Sequence, residues 1–230
     1  MKIFRGFRHS QLAPRCALTI GNFDGVHRGH QAMLALLRNE ARHRGLPSCA
    51  LTFEPHPRDF FAEKFRKPEL APARIATLRD KLSELANNGI DQTVIIPFNE
   101  QLASLPAEEF IRQVLVEGLG AQYVLVGDDF RFGAGRIGDY AMLDAAGRMQ
   151  GFEVSRMNSY EISRLTPPGE AAPSEPGIRV SSTEVREALA AGDMNEVTRL
   201  LGRPYSVSGH VVHGRKLGRS LDFPTLNLRF

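Results

Sequence analysis

The sequence predicts an α/β fold built on a parallel sheet, because short apolar runs alternate with amphipathic helical stretches from about residue 17 to residue 154. Runs such as Val94-Ile95-Ile96 and Val124-Leu125-Val126 are apolar at every position, which indicates strands buried on both faces. The stretches between them repeat leucine at helical spacing, as in Leu78, Leu82 and Leu85. This alternation favours helices packed on both faces of one sheet.

The predicted elements can be placed in chain order. The strands cover residues 17–20, 48–53, 93–97, 123–127 and 152–155. The helices cover residues 30–44, 78–88, 107–117 and 139–148, with a further helix over 189–201. Because ligands of parallel sheets bind at the carboxyl ends of the strands, we expect functional residues directly after each strand.

Composition excludes several classes of protein. The chain has 230 residues, 42% of them hydrophobic and 24% charged, so it can form one large domain plus part of another. The net charge of +3 comes with no Lys/Arg run, so small anionic substrates are favoured over nucleic acid. Two cysteines, Cys16 and Cys49, do not form a disulfide framework or a thiolate zinc site. No apolar run is long enough for a signal peptide or a membrane span, so we expect a soluble cytoplasmic protein.

The stretch directly after the first predicted strand is the strongest candidate site. Gly21 and Gly25 precede His27-Arg28-Gly29-His30, and a helical pattern follows at once. A strand, a glycine turn and a helix start together direct free N–H groups and a positive dipole end at an anion. His27 and His30 are three residues apart and share one helix face, which suits a nucleotide polyphosphate.

The second predicted strand is followed by a stiff polar loop. It contains Glu54, Pro55, His56 and Pro57, and two prolines restrict its conformation. On this pattern alone, an ordinary surface turn and a ligand-binding loop are equally good interpretations.

The fourth predicted strand is followed by a segment in which two aromatic residues flank an arginine. Phe130, Arg131 and Phe132 would suit a flat ring system beside a phosphate, and Asp129 precedes them. The alternative is that both phenylalanines pack into the core.

A glycine motif, G-x-G-x-x-G over residues 133–138, follows this segment. A dinucleotide-binding fingerprint would come directly after a strand and open a helix. Here several residues separate it from the strand, so we interpret the glycines as a mobile loop rather than a cofactor site.

A second candidate phosphate site lies beyond a Pro- and Gly-rich loop over residues 161–177. Ser181 and Ser182 are good N-cap residues, Thr183 follows, and Arg186 comes one turn into the helix. The pattern fits a simple helix start, and it equally fits a second cradle for phosphate built like the first.

The sequence pattern changes near Gly202, where residues begin to alternate in the way that is typical of β-strands. A glycine- and lysine-rich stretch with Gly214, Lys216 and Gly218 follows, and then Pro224-Thr225-Leu226-Asn227. We therefore place a domain boundary at this point.

Taken together, these motifs resemble those of the bacterial bifunctional riboflavin kinase/FMN adenylyltransferases (FAD synthetases) of the nucleotidyltransferase superfamily. The resemblance runs from about residue 15 to the end of the chain, with four motifs in family order. It implies a Rossmann-like nucleotidyltransferase domain over residues 1–202, with helices on both faces of a parallel sheet. It further implies the incomplete start of a riboflavin kinase β-barrel over residues 203–230.

The reaction implied by the resemblance is ATP plus FMN giving FAD and pyrophosphate, with Mg²⁺ as cofactor. His27, His30 and Arg186 are then the catalytic residues. ATP-binding residues would be Gly21, Phe23, Asp24, Gly25, His27, His30, Ser181, Ser182, Thr183 and Arg186. Flavin-binding residues would be Pro55, His56, Pro57, Asp129, Phe130, Arg131 and Phe132.

The tail matches the kinase module less fully. The resemblance assigns ATP and Mg²⁺ binding there to Gly214, Lys216, Gly218, Thr225 and Asn227, with Thr225 and Asn227 at the metal. Asp222 and Leu226 depart from the family pattern, which usually has glycine and alanine there. Since the kinase module normally continues well past residue 230, we expect no conversion of riboflavin to FMN by this chain, and poor packing of residues 203–230.

Three alternatives stay open. One is a nucleotidyltransferase with another phosphorylated acceptor, and another is a flavin- or nucleotide-binding protein without catalysis. The third is a metal site formed by His27, His30 and His56, which is the weakest because no carboxylate stands in metal-ligand spacing with the two motif histidines. The expected partners are the small molecules ATP, FMN and FAD, with neither nucleic acid nor membrane; the sequence leaves the oligomeric state undetermined.

Overall fold

A six-stranded parallel sheet forms the centre of the molecule. The computed structural model describes residues 1–162, 177–214, 221–223 and 225–229. The strand order is β1-β4-β3-β2-β5-β6, and every neighbouring pair is parallel. The strands are β1 (Lys2–Arg5), β2 (Cys16–Ile20), β3 (Ser48–Glu54), β4 (Gln92–Pro97), β5 (Ala121–Gly127) and β6 (Glu153–Met157). The predicted fold class is therefore confirmed.

Eight α-helices are found in the described part of the chain. They are α1 (Arg28–His43), α2 (Pro57–Phe65), α3 (Leu78–Asn87), α4 (Glu100–Ala103), α5 (Ala107–Phe110), α6 (Tyr140–Gln150), α7 (Ser182–Ala191) and α8 (Met194–Leu201). A π-helix, Ile111–Val116, continues α5, and single 3₁₀ turns cover Asp24–Val26, Pro68–Leu70 and Ala134–Arg136. Among the residues described, no helix combines the length and the apolar character needed to cross a bilayer.

Two short antiparallel pairs lie outside the main sheet. β7 (Glu161–Ile162) pairs with β8 (Ile178–Arg179), and β9 (His210–Val212) pairs with β10 (Asn227–Arg229). The second pair is exposed at every position, whereas the central strands of the main sheet are almost wholly buried.

Alternate residues of the central strands pack into two separate cores, one on each face of the sheet. Leu18 and Val124 pack with Leu115 of the π-helix on one face of the sheet. Ala17 and Leu125 pack with the buried side of α1 on the other face. This period of two on strands with no polar face explains why the runs are apolar throughout. A third cluster joins α7 and α8 to Ile75, beside the carboxyl ends of the strands.

The structure corrects several predicted elements. β1 was not predicted because only Phe4 in it is buried, as expected for a short edge strand. α2 begins at Pro57, where the predicted loop was expected to continue; proline is accepted at the first helical position because its missing N–H has no partner there anyway. The single helix predicted over 189–201 is two helices, since Gly192 takes a left-handed conformation (φ +73°) that ends α7.

The order of the strands creates one crevice at their carboxyl ends. From β2 the chain moves to β3 and then β4 on one side, and β5 and β6 lie on the other side. The strand order therefore reverses between β2 and β5, which is where open parallel sheets bind ligands. The loop with the two motif histidines follows β2, and the loop with Phe130 and Phe132 follows β5.

Candidate active site

The turn that follows β2 has an unusual backbone. Phe23, Gly25 and Val26 all have positive φ, at 49°, 78° and 40°. For a β-branched residue such as Val26 this conformation is strained, and such strain persists only where the surroundings enforce it. A Cβ on Gly25 would lie 2.7 Å from Cγ2 of Ile75, so a side chain is excluded there on both grounds.

Contacts from distant parts of the chain hold this turn in place. The Gln31 amide donates to the Val26 carbonyl (2.9 Å), and Arg203 donates to the carbonyls of Gly25 (2.7 Å) and Val26 (3.2 Å). The Ser182 hydroxyl, at the start of α7, donates to the Asp24 carbonyl (3.2 Å). The strained turn is thus fixed by three elements other than its own strand.

His27 caps α1 with one ring nitrogen, and its other ring nitrogen makes no hydrogen bond to a described residue. Its Nδ1 accepts from the backbone N–H of His30 at 3.3 Å. Because burial lowers the pKa of His27 to about 4, the ring is neutral near pH 7 and its proton is on Nε2. His27 therefore presents an N–H donor at the positive end of α1.

His30 lies directly against His27. The two rings stack with centroids 3.7 Å apart and planes 20° apart, and the edge of Phe23 contacts His30 from another side. Nδ1 of His30 is buried and has no hydrogen-bond partner among the described residues. Burial, and then the charges of His27 and Lys81, lower the pKa of His30 well below its usual value. A buried polar atom without a partner is uncommon in folded proteins, which makes His30 a candidate site residue.

His56 repeats the arrangement of His27 on the neighbouring strand. It caps α2 through Nδ1, which accepts from the Arg58 backbone N–H at 3.1 Å. Burial, and then the charge of Arg74, lower its pKa to about 4. Two neutral histidines thus cap the helices that follow β2 and β3, and each has Nε2 left to donate.

These two histidines predict a pH-dependent stability. In the unfolded chain each imidazole titrates near pH 6.5, whereas in the folded chain His27 and His56 titrate near 4. The unfolded chain therefore binds more protons between these values, and the free energy of unfolding falls as the pH is lowered from 7 to 5. We expect a loss of about 2 kcal/mol for each histidine at pH 5, measured by urea unfolding.

The variant His56→Asn provides the control for this prediction. Asparagine caps a helix as well as histidine does but does not titrate, so about 2 kcal/mol of the pH dependence should disappear. An unchanged difference between pH 7 and pH 5 in this variant would show that His56 does not cause it.

A buried ion pair joins the two candidate phosphate sites. Asp24 is 1% exposed, and its carboxylate accepts from Arg186 (2.6 Å) and from the backbone N–H groups of Ile75 (3.1 Å) and Ala76 (3.2 Å). Arg186 also donates through Nε to the Ala73 carbonyl (2.7 Å). Asp24 thus fixes Arg186 beside the strained turn, although 162 positions separate them in the sequence.

The start of α7 is brought against the start of α1. Ser181 caps α7 by accepting from the Glu184 N–H (3.3 Å), and its hydroxyl donates to the Glu184 carboxylate (3.4 Å). A Cβ on Gly29 would lie only 3.1 Å from the carbonyl oxygen of Val180, so the two helix starts pack in close contact. Thr183 is exposed beside them. Two positive helix ends therefore converge on one place, which favours an anion of high charge.

Two residues predicted at the ATP site are buried beneath it. Phe23 is fully buried and packs in the core with α1, and the oxygens of Asp24 are already used by Arg186 and the backbone. The structure therefore gives both residues supporting positions, whereas Gly21, His30 and Ser182 are partly exposed.

The loop after β5 divides into a buried part and an exposed part. Phe132 is 7% exposed and packs on Phe110, as the core interpretation of this motif expects, while Phe130 is half-buried and stacks on it with centroids 5.4 Å apart. Arg131 and Asp129 are exposed and form ion pairs with Asp139 (3.3 Å) and Arg179 (3.2 Å). The glycine motif over 133–138 forms a turn before α6 and opens no helix directly after a strand.

Comparison with known proteins decides the family. The FAD synthetase family model matches residues 9–166, which is more than half of the chain, and the riboflavin kinase family model matches residues 201–230. This chain belongs to the FAD synthetase family.

Similar curated proteins carry both activities in their names. The chain is 46% identical to a bifunctional riboflavin kinase/FMN adenylyltransferase of Pseudomonas fluorescens and 44% identical to that of Escherichia coli strain K12. The matches cover 100% and 99% of this chain and 68% of each relative. A solved structure from Streptococcus pneumoniae, described as a macrolide-efflux protein, has a TM-score of 0.74 at 26% identity and covers all of this chain and 69% of that one.

The residues that match the riboflavin kinase model include the exposed strands β9 and β10. Gly214 follows β9 and faces Asn227 of β10, because a Cβ on Gly214 would lie 2.4 Å from the Asn227 amide nitrogen. Thr225 is exposed nearby in the chain. Lys216 and Gly218 lie outside the described residues. Two residues predicted for one site, Gly214 and Asn227, are thus adjacent.

Three charged residues near the FAD synthetase motifs were not predicted: Asp59, Arg74 and Lys81. Arg74 bonds to Glu54 (3.1 Å) and to Asp59 (3.2 Å), and Lys81 of α3 lies 3.7 Å from Glu54. The sequence did contain a signal for Lys81: it lies three residues after Leu78 and four before Leu85, on the apolar face of α3. In the described part of the chain, no group of three or more His, Cys, Asp or Glu side chains is arranged to hold a metal ion.

Proposed function

We propose that this chain transfers AMP from ATP to FMN, giving FAD and pyrophosphate. The observation that carries the proposal is the convergence of the α1 and α7 starts, with His27, His30 and Arg186, at the point where the strand order reverses. Two polyanionic substrates must be brought together in this reaction, and this is the place where the fold concentrates donors without free carboxylates.

In the proposed reaction an oxygen of the FMN phosphate attacks the α-phosphorus of ATP. The new P–O bond forms as the bond between the α-phosphorus and the bridging oxygen breaks, and the electron pair leaves with pyrophosphate. No protein nucleophile is needed, so catalysis consists of alignment and stabilisation of charge. Neutral His27 and His30 donate to phosphate oxygens at the start of α1. Ser182, Thr183 and Arg186 hold the departing phosphates at the start of α7.

Magnesium enters this proposal as part of the Mg·ATP substrate. The carboxylates of Asp24 and Glu54 are already paired with Arg186, Arg74 and Lys81. Mg²⁺ would therefore be held by phosphate oxygens and water, which suits its preference for retained water ligands. When bound, it offsets the negative charge of the phosphates. In the kinase module, Thr225 and Asn227 would hold the corresponding ion.

For the flavin we propose the loops after β3 and β5. Phe130 offers an aromatic face for the ring system, Asp129 and Arg131 offer polar contacts, and His56 offers its Nε2 donor beside Pro55 and Pro57. The ion pairs of Asp129 and Arg131 are exposed and so cost little to exchange for a ligand. We also propose a cytoplasmic location, in keeping with two cysteines, Cys16 and Cys49, that are buried and unpaired.

A direct assay tests the proposal. The purified chain is incubated with Mg·ATP and FMN, and in parallel with Mg·ATP and riboflavin, and the flavins are separated by chromatography. We expect FAD and an equal amount of pyrophosphate from FMN. The riboflavin incubation tests the separate expectation that this chain forms no FMN.

Failure would be informative in two ways. Pyrophosphate release with another phosphorylated acceptor, but not with FMN, would show that FMN is not the acceptor. The transferase part of the proposal would then stand. Binding of ATP with no product from any acceptor would favour a binding protein without catalysis.

A further inference from the structure

Lys81 is the least explained charged group in the described part of the molecule. Its side chain is 1% exposed, and its Nζ makes no hydrogen bond to any described residue. Glu54 is the nearest acceptor at 3.7 Å, which is too long for a hydrogen bond, and it is already bonded by Arg74 at 3.1 and 3.2 Å. The three N–H groups of this buried amine therefore have no hydrogen-bond partner among the described residues, and the amine has only the long ion pair with Glu54.

The fold gains little from this amine, because its ion pair with Glu54 is 3.7 Å long. Burial lowers the pKa of Lys81, which means that its charged form is held in place at a cost. A buried charge without hydrogen bonds is destabilising relative to an apolar side chain of similar length. A structural explanation would therefore need a partner that the described residues do not supply.

The surroundings of Lys81 indicate which partner is missing. Helix α3 packs against the turn Asp24–Val26, and Glu54 is the last residue of β3, directly before the loop of Pro55 and His56. The charge of Lys81 contributes to the lowered pKa values of both His30 and His56, after the larger effect of burial. Lys81 thus lies between the histidine turn, which we assign to ATP, and the loop that we assign to the flavin.

A second buried atom near the candidate site, on His30, also lacks a hydrogen-bond partner. Nδ1 of His30 is buried and lacks a partner, as Nζ of Lys81 does, and both adjoin the starts of α1 and α3. Two buried polar atoms without hydrogen-bond partners, close enough that the charge of one lowers the pKa of the other, are consistent with a ligand that contacts both.

We propose that Lys81 is a further catalytic residue that donates from Nζ to the phosphate of the acceptor flavin. This inference rests on the proposed function, because it places the FMN phosphate where it meets the α-phosphate of ATP. The ammonium holds the attacking oxygen in line and offsets the charge of two phosphates brought into contact. Since a phosphate anion stabilises the charged form of the amine, binding of FMN removes the cost of burying it.

Binding measurements test this without depending on turnover. FMN and riboflavin differ only in the phosphate, so the ratio of their dissociation constants reports the phosphate contact. Flavin fluorescence is titrated in the presence of Mg²⁺ and α,β-methylene-ATP, an analogue that cannot release pyrophosphate. We expect Lys81→Met to weaken FMN binding at least tenfold and to leave riboflavin binding unchanged.

The matched control is Lys64→Met. Lys64 lies in α2 with its side chain 38% exposed and paired with Glu100, so both affinities should stay as in the unchanged chain. Lys81→Gln, which retains a polar end without the charge, should lose FMN affinity as Lys81→Met does. Urea unfolding should show Lys81→Met to be at least as stable as the unchanged chain, which a purely structural lysine would not allow.

The rate of FAD formation gives the second readout. In Lys81→Met, kcat at saturating FMN and ATP should also fall at least tenfold, because the attacking oxygen is no longer held. Equal weakening of FMN and riboflavin, unchanged FMN binding, or loss of stability together with activity would each overturn the proposal. If the unchanged chain forms no FAD but binds FMN through Lys81, the proposed function fails and the phosphate site stands.

Discussion

Asp24→Ala is expected to lower the free energy of unfolding by about 3–5 kcal/mol, the largest change in stability that we foresee for one substitution in the site. The substitution removes the buried carboxylate 2.6 Å from Arg186 and leaves a cavity beside this guanidinium, whose side chain is 18% exposed. It also leaves the N–H groups of Ile75 and Ala76 without their acceptor. Urea unfolding at pH 7 measures the loss, and FAD formation should fall with it because Arg186 is no longer held.

Two further variants test how much of the loss comes from the buried ion pair itself. Asp24→Asn retains an oxygen for the backbone N–H groups but not the ion pair, so its loss should lie between zero and that of alanine. Asp144→Ala removes a surface ion pair between Asp144 and Arg148 (2.7 Å) and should cost less than about 1 kcal/mol. Equal losses for Asp24→Ala and Asp144→Ala would show that the buried pair does not hold the site together.

His30→Ala is expected to lower kcat for FAD formation by about two orders of magnitude. The ring contributes no hydrogen bond to the protein through Nδ1, and its backbone N–H, which His27 accepts, is retained in alanine. The loss should therefore appear in the rate while the fold persists. Steady-state kinetics at saturating ATP and FMN, with urea unfolding beside them, measure both quantities.

The control lies at the other end of the same helix. His43, in the last turn of α1, is exposed, and His43→Ala should leave kcat unchanged. A His30→Ala enzyme with an unaltered rate would remove this residue from the proposed mechanism.

The fold could be predicted from sequence where burial leaves a mark on composition. All five predicted strands are found, as β2 to β6. The inner strands β2 to β5 are mostly apolar because they are covered on both faces, whereas β6 lies at an edge and carries the exposed Glu153 and Arg156. β1 left no such mark, since it lies at the edge of the sheet and only Phe4 is buried. The break at Gly192 depends on a single left-handed residue, which a pattern of leucines does not reveal.

The site was predictable in its motifs but not in the contacts between them. Histidine and serine at helix starts are visible in the sequence, and the structure brings both starts together. The ion pair of Asp24 and Arg186 was not predictable, because the motif of each residue predicts a contact with ATP and not with the other residue. The sequence places Lys81 on the apolar face of α3, but it does not reveal that the amine lies beside Glu54. The ligand roles of these residues stay predictions.

The contacts of Arg203 bear on where the two modules of the chain can be separated. Arg203 bonds to the carbonyls of Gly25 and Val26 and to the Glu84 carboxylate (3.2 Å), Tyr205 packs on the α7–α8 cluster, and Ser208 bonds to Asp80. A cut at Gly202, where the β character begins, would strip these supports from the strained turn. We therefore expect an isolated adenylyltransferase to need residues 203–208 for its own stability, although the riboflavin kinase family model also matches these residues.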